Sequence, residues 1–191
     1  MYWNNPKLLV VIVVLIGVIA FIRLTSQPAG LAATDDDSST PFHVVSAEHQ
    51  ILLPDFTLTP AEGQPFKLSA AVAKGPVVLD FWATYCGPCR MELPELDKIR
   101  TSYASKGVQF YAINASDTPD IIRQYATVTK LGIPMLVDRD AEITRYLSID
   151  SIPFTIVIDS NRKIVSGLSG FDEDMSDHLP VALDKILGSK T

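Results

Sequence analysis

Cysteine is almost absent: the 191 residues hold two, Cys86 and Cys89, three positions apart. A pair so close cannot staple distant parts of a fold, which excludes a disulfide-framework domain. Histidine is nearly as scarce. His43, His49 and His178 stand at no zinc-ligand spacing, so the sequence offers no four-ligand zinc site. Positive charge is thin too, with 16 Lys and Arg against 22 Asp and Glu and a net charge of −6. Without a basic run, nucleic acid is excluded as a first-choice partner. No Gly-x-Gly-x-x-Gly follows a predicted strand, so no pyridine-nucleotide or flavin motif is present. Internal repeats are missing, and 47% hydrophobic with 20% charged residues is a globular composition.

What is present begins with a long apolar run. Leu8 to Ile22 is unbroken, and it concentrates the positive mean hydropathy of +0.21. As a helix it would span about 22 Å, short of a hydrocarbon core about 30 Å thick. Lys7 and Arg23 flank it and can snorkel to the two interfaces, with Tyr2 and Trp3 at headgroup level. Residues 1–24 are therefore expected to be a membrane anchor, engaging the bilayer through residues 8–24. The alternative is a cleaved secretory signal with small residues at Gly30-Leu31-Ala32. Both place the remainder outside the cytoplasm. The expectation is a single-pass protein of the cell membrane with its C-terminal domain extracytoplasmic, or a secreted or periplasmic protein after cleavage; a buried core helix is the third reading of the run. Residues 25–50, with Asp35-Asp36-Asp37, read as a flexible linker, and residues 51–191 as the folded domain.

Within that domain strand and helix signals alternate. Phe56-Thr57-Leu58 and Phe66-Lys67-Leu68, split by Pro60 and Gly63, predict an opening hairpin. Val77 to Phe81 is apolar on both faces, as an interior strand of a parallel sheet is. A helix follows in which Cys86, Cys89, Leu93, Leu96, Ile99 and Tyr103 recur at three- and four-residue steps, ending at Lys106-Gly107. Further strands are predicted at Val108–Ile113 and Met135–Val137, and helices at Ile121–Lys130, behind the start signal Asp117-Thr118-Pro119, and at Ala141–Leu147. A closing hairpin is predicted from Phe154–Ile158 and Lys163–Leu168, then a helix over Glu173–Leu187 that Pro180 delays or kinks. The class is a mixed α/β sheet flanked by helices, with its site at the carboxyl end of a central strand.

Cys86-Gly87-Pro88-Cys89 carries the candidate chemistry. A helix that starts at Cys86 turns unpaired N–H groups and its positive dipole end toward that sulfur, which favours the thiolate, the attacking species. Cys89 lies on the apolar stripe and is expected to be buried and less ionised. One turn apart, the two Cα atoms would stand about 5 Å from each other, within disulfide range. Gly87 allows a partner backbone to approach, and Pro88 restrains the turn. Such a pair supports a cycle in which Cys86 attacks a partner disulfide and Cys89 resolves the mixed disulfide. A permanent structural disulfide fits the same spacing. Asp80, six residues before Cys86 in an apolar strand, is costly to bury as a carboxylate; it is placed either to exchange a proton with Cys89 or to cap a nearby backbone group.

The stretch Phe81-Trp82-Ala83-Thr84-Tyr85-Cys86-Gly87-Pro88-Cys89-Arg90, with Pro94 beyond it, resembles a thioredoxin-fold active site. From Pro54-Asp55-Phe56 through Met91-Glu92-Leu93-Pro94 to the end, the chain is similar to the TlpA/ResA group of membrane-tethered thiol–disulfide oxidoreductases. The resemblance implies a thioredoxin-like mixed sheet with an N-terminal hairpin extension and a central strand–helix insertion at about Val108 to Lys130. It also implies that Ser151-Ile152-Pro153 faces the cysteines with a cis bond before Pro153, and that the Ile152 backbone pairs with an incoming peptide. Trp82 and Tyr85 would be packing and contact residues, and Tyr85 stands where many relatives carry Trp. The lysine that accompanies the buried Asp in thioredoxin is missing from Val108–Asn114. As implied function, the protein reduces disulfides in client proteins, apocytochrome c or copper-site proteins among them. A membrane thiol-transfer protein recharges it, and no cofactor is needed beyond the Cys86–Cys89 disulfide. A Cu(I) carrier using the same thiolates, or a thiol peroxidase, are the alternative functions.

Overall fold

The structure, a computed structural model, describes residues 41–188. The expected anchor or signal and most of the expected linker lie outside these residues. Among the described residues no helix is long and apolar enough to cross a membrane.

Eight strands form one sheet: β1 (His43–Val44), β2 (Thr57–Pro60), β3 (Phe66–Lys67), β4 (Val77–Trp82), β5 (Gln109–Asn114), β6 (Met135–Val137), β7 (Phe154–Ile158) and β8 (Ile164–Ser169). Their order is β1-β8-β7-β4-β5-β6-β2-β3. β4, β5 and β6 run parallel, while β7 pairs antiparallel with β4 on the other side. The mixed sheet read from the sequence is thus the one the chain forms. The strand and helix expected as a central insertion are β5 and the helix after it, and β5 lies directly beside β4.

The period-two alternation of a strand splits β4 between two cores. Val78 and Trp82 join one core with helices α2 (Gly87–Tyr103), α3 (Pro119–Thr129) and α5 (Met175–Gly188). Val77, Leu79 and Phe81 join the other with α1 (Leu68–Val72) and α4 (Glu142–Tyr146). All six β4 residues are buried because helices cover both faces. Asp80 points to the α2 side by the same alternation. The starts of β4 and β5 touch closely: Gly75 has φ +153° and a Cβ there would lie 2.2 Å from the Gly107 carbonyl oxygen.

Three expectations at the edges of elements need correcting. Leu68 does not extend the opening hairpin; it begins α1, since its side chain is fully buried in the second core and the chain must turn there to reach β4. The expected linker ends before residue 50, because β1 pairs with β8 and Phe42 and Val45 are buried at 2% and 7% exposure. Pro180 does not delay the last helix but lies inside it, and its carbonyl accepts a hydrogen bond from the Tyr103 hydroxyl at 3.1 Å.

Candidate active site

The chain leaves β4 at Trp82, crosses Ala83–Tyr85 and enters α2 at Gly87. Cys86 is the N-cap residue, with extended backbone, and its sulfur accepts a hydrogen bond from the Cys89 N–H at 3.2 Å. A sulfur in this role is stabilised as an anion by the same N–H groups and dipole that a capping Ser or Asp would satisfy. Pro88 lies in the first turn, where its missing N–H costs nothing. Cys86 and Cys89 are joined as a disulfide with Cα atoms 5.3 Å apart. Cys86 is 8% exposed and Cys89 is fully buried, so one sulfur is reachable and the other is not.

The loop before β7 faces this disulfide. The Ile152–Pro153 peptide bond is cis, and the Ile152 carbonyl oxygen lies 3.9 Å from the Cys86 sulfur. Ile133-Pro134, similar in local sequence, instead leads into β6. Gly87 has open space where a Cβ would sit, Pro88 is exposed, and Tyr85 is 72% exposed. Trp82 is 1% exposed, lies tilted against Tyr125 with ring centroids 4.8 Å apart, and lines a small cavity together with Tyr85.

Asp80 is 1% exposed, as a carboxyl in mid-strand would be, but it is not alone. Glu92, also 1% exposed, comes up from α2, and the Thr155 hydroxyl on β7 stands between them, 3.3 Å from Asp80 Oδ1 and 3.1 Å from Glu92 Oε1. One hydroxyl carries one hydrogen. Where it donates to one carboxyl, a proton on the other lets that acid donate back to the hydroxyl, so the arrangement suits a cluster that holds a proton. Both acids are pushed above the usual carboxylate range. For Asp80 the cause is burial, opposed by Thr155; for Glu92 it is burial and then the nearby Asp80 charge. Sequence reasoning missed Glu92, although a signal existed: three residues after Cys89 and one before Leu93, it falls on the buried stripe of α2.

A second missed group fixes the loop ahead of Cys86. Asp117, read from the sequence only as a helix-start signal, accepts hydrogen bonds from the Thr84 N–H at 2.8 Å, the Thr84 hydroxyl at 2.9 Å and the Asn114 amide at 2.8 Å. Burial pushes its pKa up, but these donors hold it below the usual range. His178 is hydrogen bonded to Asp172 at 2.8 Å and is only partly exposed. Among the described residues no group of three His, Cys, Asp or Glu could hold a metal ion.

Comparison with known proteins gives this arrangement its class, that of the thioredoxin-fold thiol–disulfide oxidoreductases. Residues 48–179 match the Redoxin family. The thiol-disulfide oxidoreductase ResA of Bacillus thuringiensis subsp. konkukian is 30% identical over 133 residues, covering 70% of this chain and 75% of its own. The ResA protein of Geobacillus thermodenitrificans is 31% identical over 128 residues, covering 66% and 73%. Among solved structures, a putative thiol:disulfide interchange protein DsbE from Chlorobium tepidum superposes with a TM-score of 0.67 at 27% identity, covering 73% of this chain and 97% of that one. The chain belongs to the Redoxin family and, within it, to the ResA/TlpA type of thiol–disulfide oxidoreductase.

Proposed function

We propose that the protein reduces disulfides of client proteins outside the cytoplasm, with the domain tethered to the membrane through residues 8–24. The observation that carries the reductive cycle is the contrast between the capped Cys86 sulfur at the helix start and the fully buried Cys89, with Glu92 three residues further along α2. In the reduced form the Cys86 thiolate attacks one sulfur of a client disulfide, forming a mixed disulfide and releasing the first client thiolate, which takes a proton from water. Cys89 then gives its proton to the buried Asp80–Glu92 pair and attacks the Cys86 sulfur. The second client thiolate leaves, and the Cys86–Cys89 disulfide is restored. Two electrons pass to the client, and one protein disulfide replaces another.

Tyr85, Gly87 and Pro88 form the approach to the Cys86 sulfur. Ile152 provides the backbone beside it, Pro153 shapes that loop, and Trp82 packs under it. The names of the ResA relatives and the Cys86-x-x-Cys89 pair support the oxidoreductase reading; the apolar run Leu8–Ile22 supports the location. Apocytochrome c and copper-site proteins are the clients to test first, with a membrane thiol-transfer protein as electron donor. The test is insulin reduction by the purified protein with a chemical reductant as recharger, joined to trapping of mixed disulfides on Cys89→Ser in cells. Turnover and a trapped client are the expected results. Stoichiometric Cu(I) uptake without turnover would instead make the site a metal carrier.

A further inference from the structure

Beside the reactive sulfur, on the sheet face away from α2, lies a cavity of about 170 Å³. Its floor is apolar: Phe81 and Ile113 are buried at 2% and 0%, and Ile149 is partly buried. Two of its walls are shared with the active site. Tyr85 immediately precedes Cys86, and Ile152 brings its carbonyl oxygen to 3.9 Å from the Cys86 sulfur. A client disulfide that reaches Cys86 therefore brings its neighbouring residues over this opening. At this size the cavity is below the usual range of small-molecule sites, about 300–1,000 Å³, and suits one side chain.

The rim decides which side chain. Asp150, exposed at the mouth, makes no hydrogen bond or ion pair with any described residue, and no Lys or Arg lines the cavity. An apolar floor below an unpaired carboxylate matches a side chain with an aliphatic stem and a cationic head. Resting on the oxidoreductase reading, we propose that this cavity is a specificity subsite that takes a Lys or Arg side chain next to the attacked cysteine of the client. The stem lies against Phe81, Ile113 and Ile149, and the head pairs with Asp150. An acidic residue at that position is disfavoured by the same carboxylate. The subsite selects among disulfides that the Cys86–Cys89 pair would otherwise attack alike.

The experiment uses the reduced full-length protein and short peptides whose single cysteine is a mixed disulfide with thionitrobenzoate. Lys, Leu, Gly or Glu is placed on either side of that cysteine. Cys86 displaces thionitrobenzoate, and Cys89 then frees the peptide thiol, so each turnover oxidises the protein dithiol and reduces one peptide disulfide. At one of the two positions Lys should exceed Glu by about fivefold or more in second-order rate at low salt, the upper range for an exposed ion pair. Leu should fall between them, and the gap should narrow as salt rises. Asp150→Asn should bring the Lys-to-Glu ratio close to one, each rate being taken relative to that variant's own Gly peptide. Ala115→Leu, which fills the cavity from its lining, should erase the advantage of Lys and Leu over Gly. Equal rates for all peptides at both positions, or a Lys preference that survives Asp150→Asn, overturn the subsite. Failure of every peptide to react overturns the oxidoreductase reading instead.

Discussion

Replacing Glu92 by Gln keeps the shape of the side chain and an oxygen for the Thr155 hydroxyl, but removes one acid from a pair shut away from water at 1% exposure each. Both acids have pKa values raised in the fold. In the unfolded chain they ionise in the ordinary carboxylate range, near pH 4. Above that range the native state therefore holds protons the unfolded state has released, and stability falls as pH rises. Each proton so held contributes a slope of about 1.4 kcal/mol per pH unit. Two held protons give about 2.7 kcal/mol per unit until the pair releases its first, and about half that until the second goes. In Glu92→Gln only Asp80 remains, without the neighbouring carboxyl. The variant should gain on the parent by about 1.4 kcal/mol per pH unit, roughly 3 kcal/mol between about pH 5 and pH 7. Asp55, Asp117 and Asp184, whose pKa values are lowered, act in the opposite sense at lower pH and cancel in the comparison. Urea unfolding of the oxidised protein at several pH values measures this difference, provided m is unchanged. Parallel stability curves for parent and variant across that range would refute the buried-proton account.

Asp117→Ala leaves the Thr84 N–H and the Asn114 amide without their acceptor and should cost about 1–3 kcal/mol at neutral pH. Because the folded pKa of Asp117 is lowered, its contribution is present above the ordinary carboxylate range and fades as pH falls through the folded value; a cost independent of pH would contradict this. Gly75→Ala places a Cβ 2.2 Å from the Gly107 carbonyl oxygen at φ +153° and should destabilise by at least about 2 kcal/mol in urea unfolding; a neutral result would refute the close contact. Asp80→Asn with Glu92→Gln should leave release of the first client thiol nearly unchanged while the mixed disulfide on Cys86 accumulates. Equal slowing of both steps in stopped-flow measurements would remove the pair from the second step.

The central strand and the cysteine helix were legible because each follows one period. Val77 to Trp82 reads as buried on both faces, and Cys89, Leu93 and Leu96 recur at helical spacing; both patterns end up packed between layers. Short elements were not legible. α1 has five residues and β1 two, too few for a period, and their existence depends on burying Leu68 and Phe42 against strands far along the chain. Asp80 stood out because a charge in an apolar strand is conspicuous. Glu92 did not, since a charge on a helix is read as solvated unless its face is counted. Asp117 was hidden by a local explanation that sufficed: Asp before Thr-Pro starts helices, while its bonds to Thr84 span 33 positions.

The division of labour between the sulfurs follows from what lies around each. Cys86 needs no base, since the Cys89 N–H and the helix terminus stabilise its anion before any client arrives. Cys89 has no such help. The buried polar or charged residues described are Asp80, Glu92, Asn114, Asp138, Thr155 and Ser166, and none of them is a cation. A free thiolate there would be a desolvated, unpaired charge, and burial disfavours it strongly. In the proposed cycle the proton on Cys89 therefore leaves as the new sulfur–sulfur bond forms, to a group whose pKa is close to that of a thiol. An ordinary carboxylate is too weak a base for that transfer. A carboxylate raised by burial and by a second carboxyl is much closer, so the pair that lowers stability at neutral pH is suited to the step Cys89 must make.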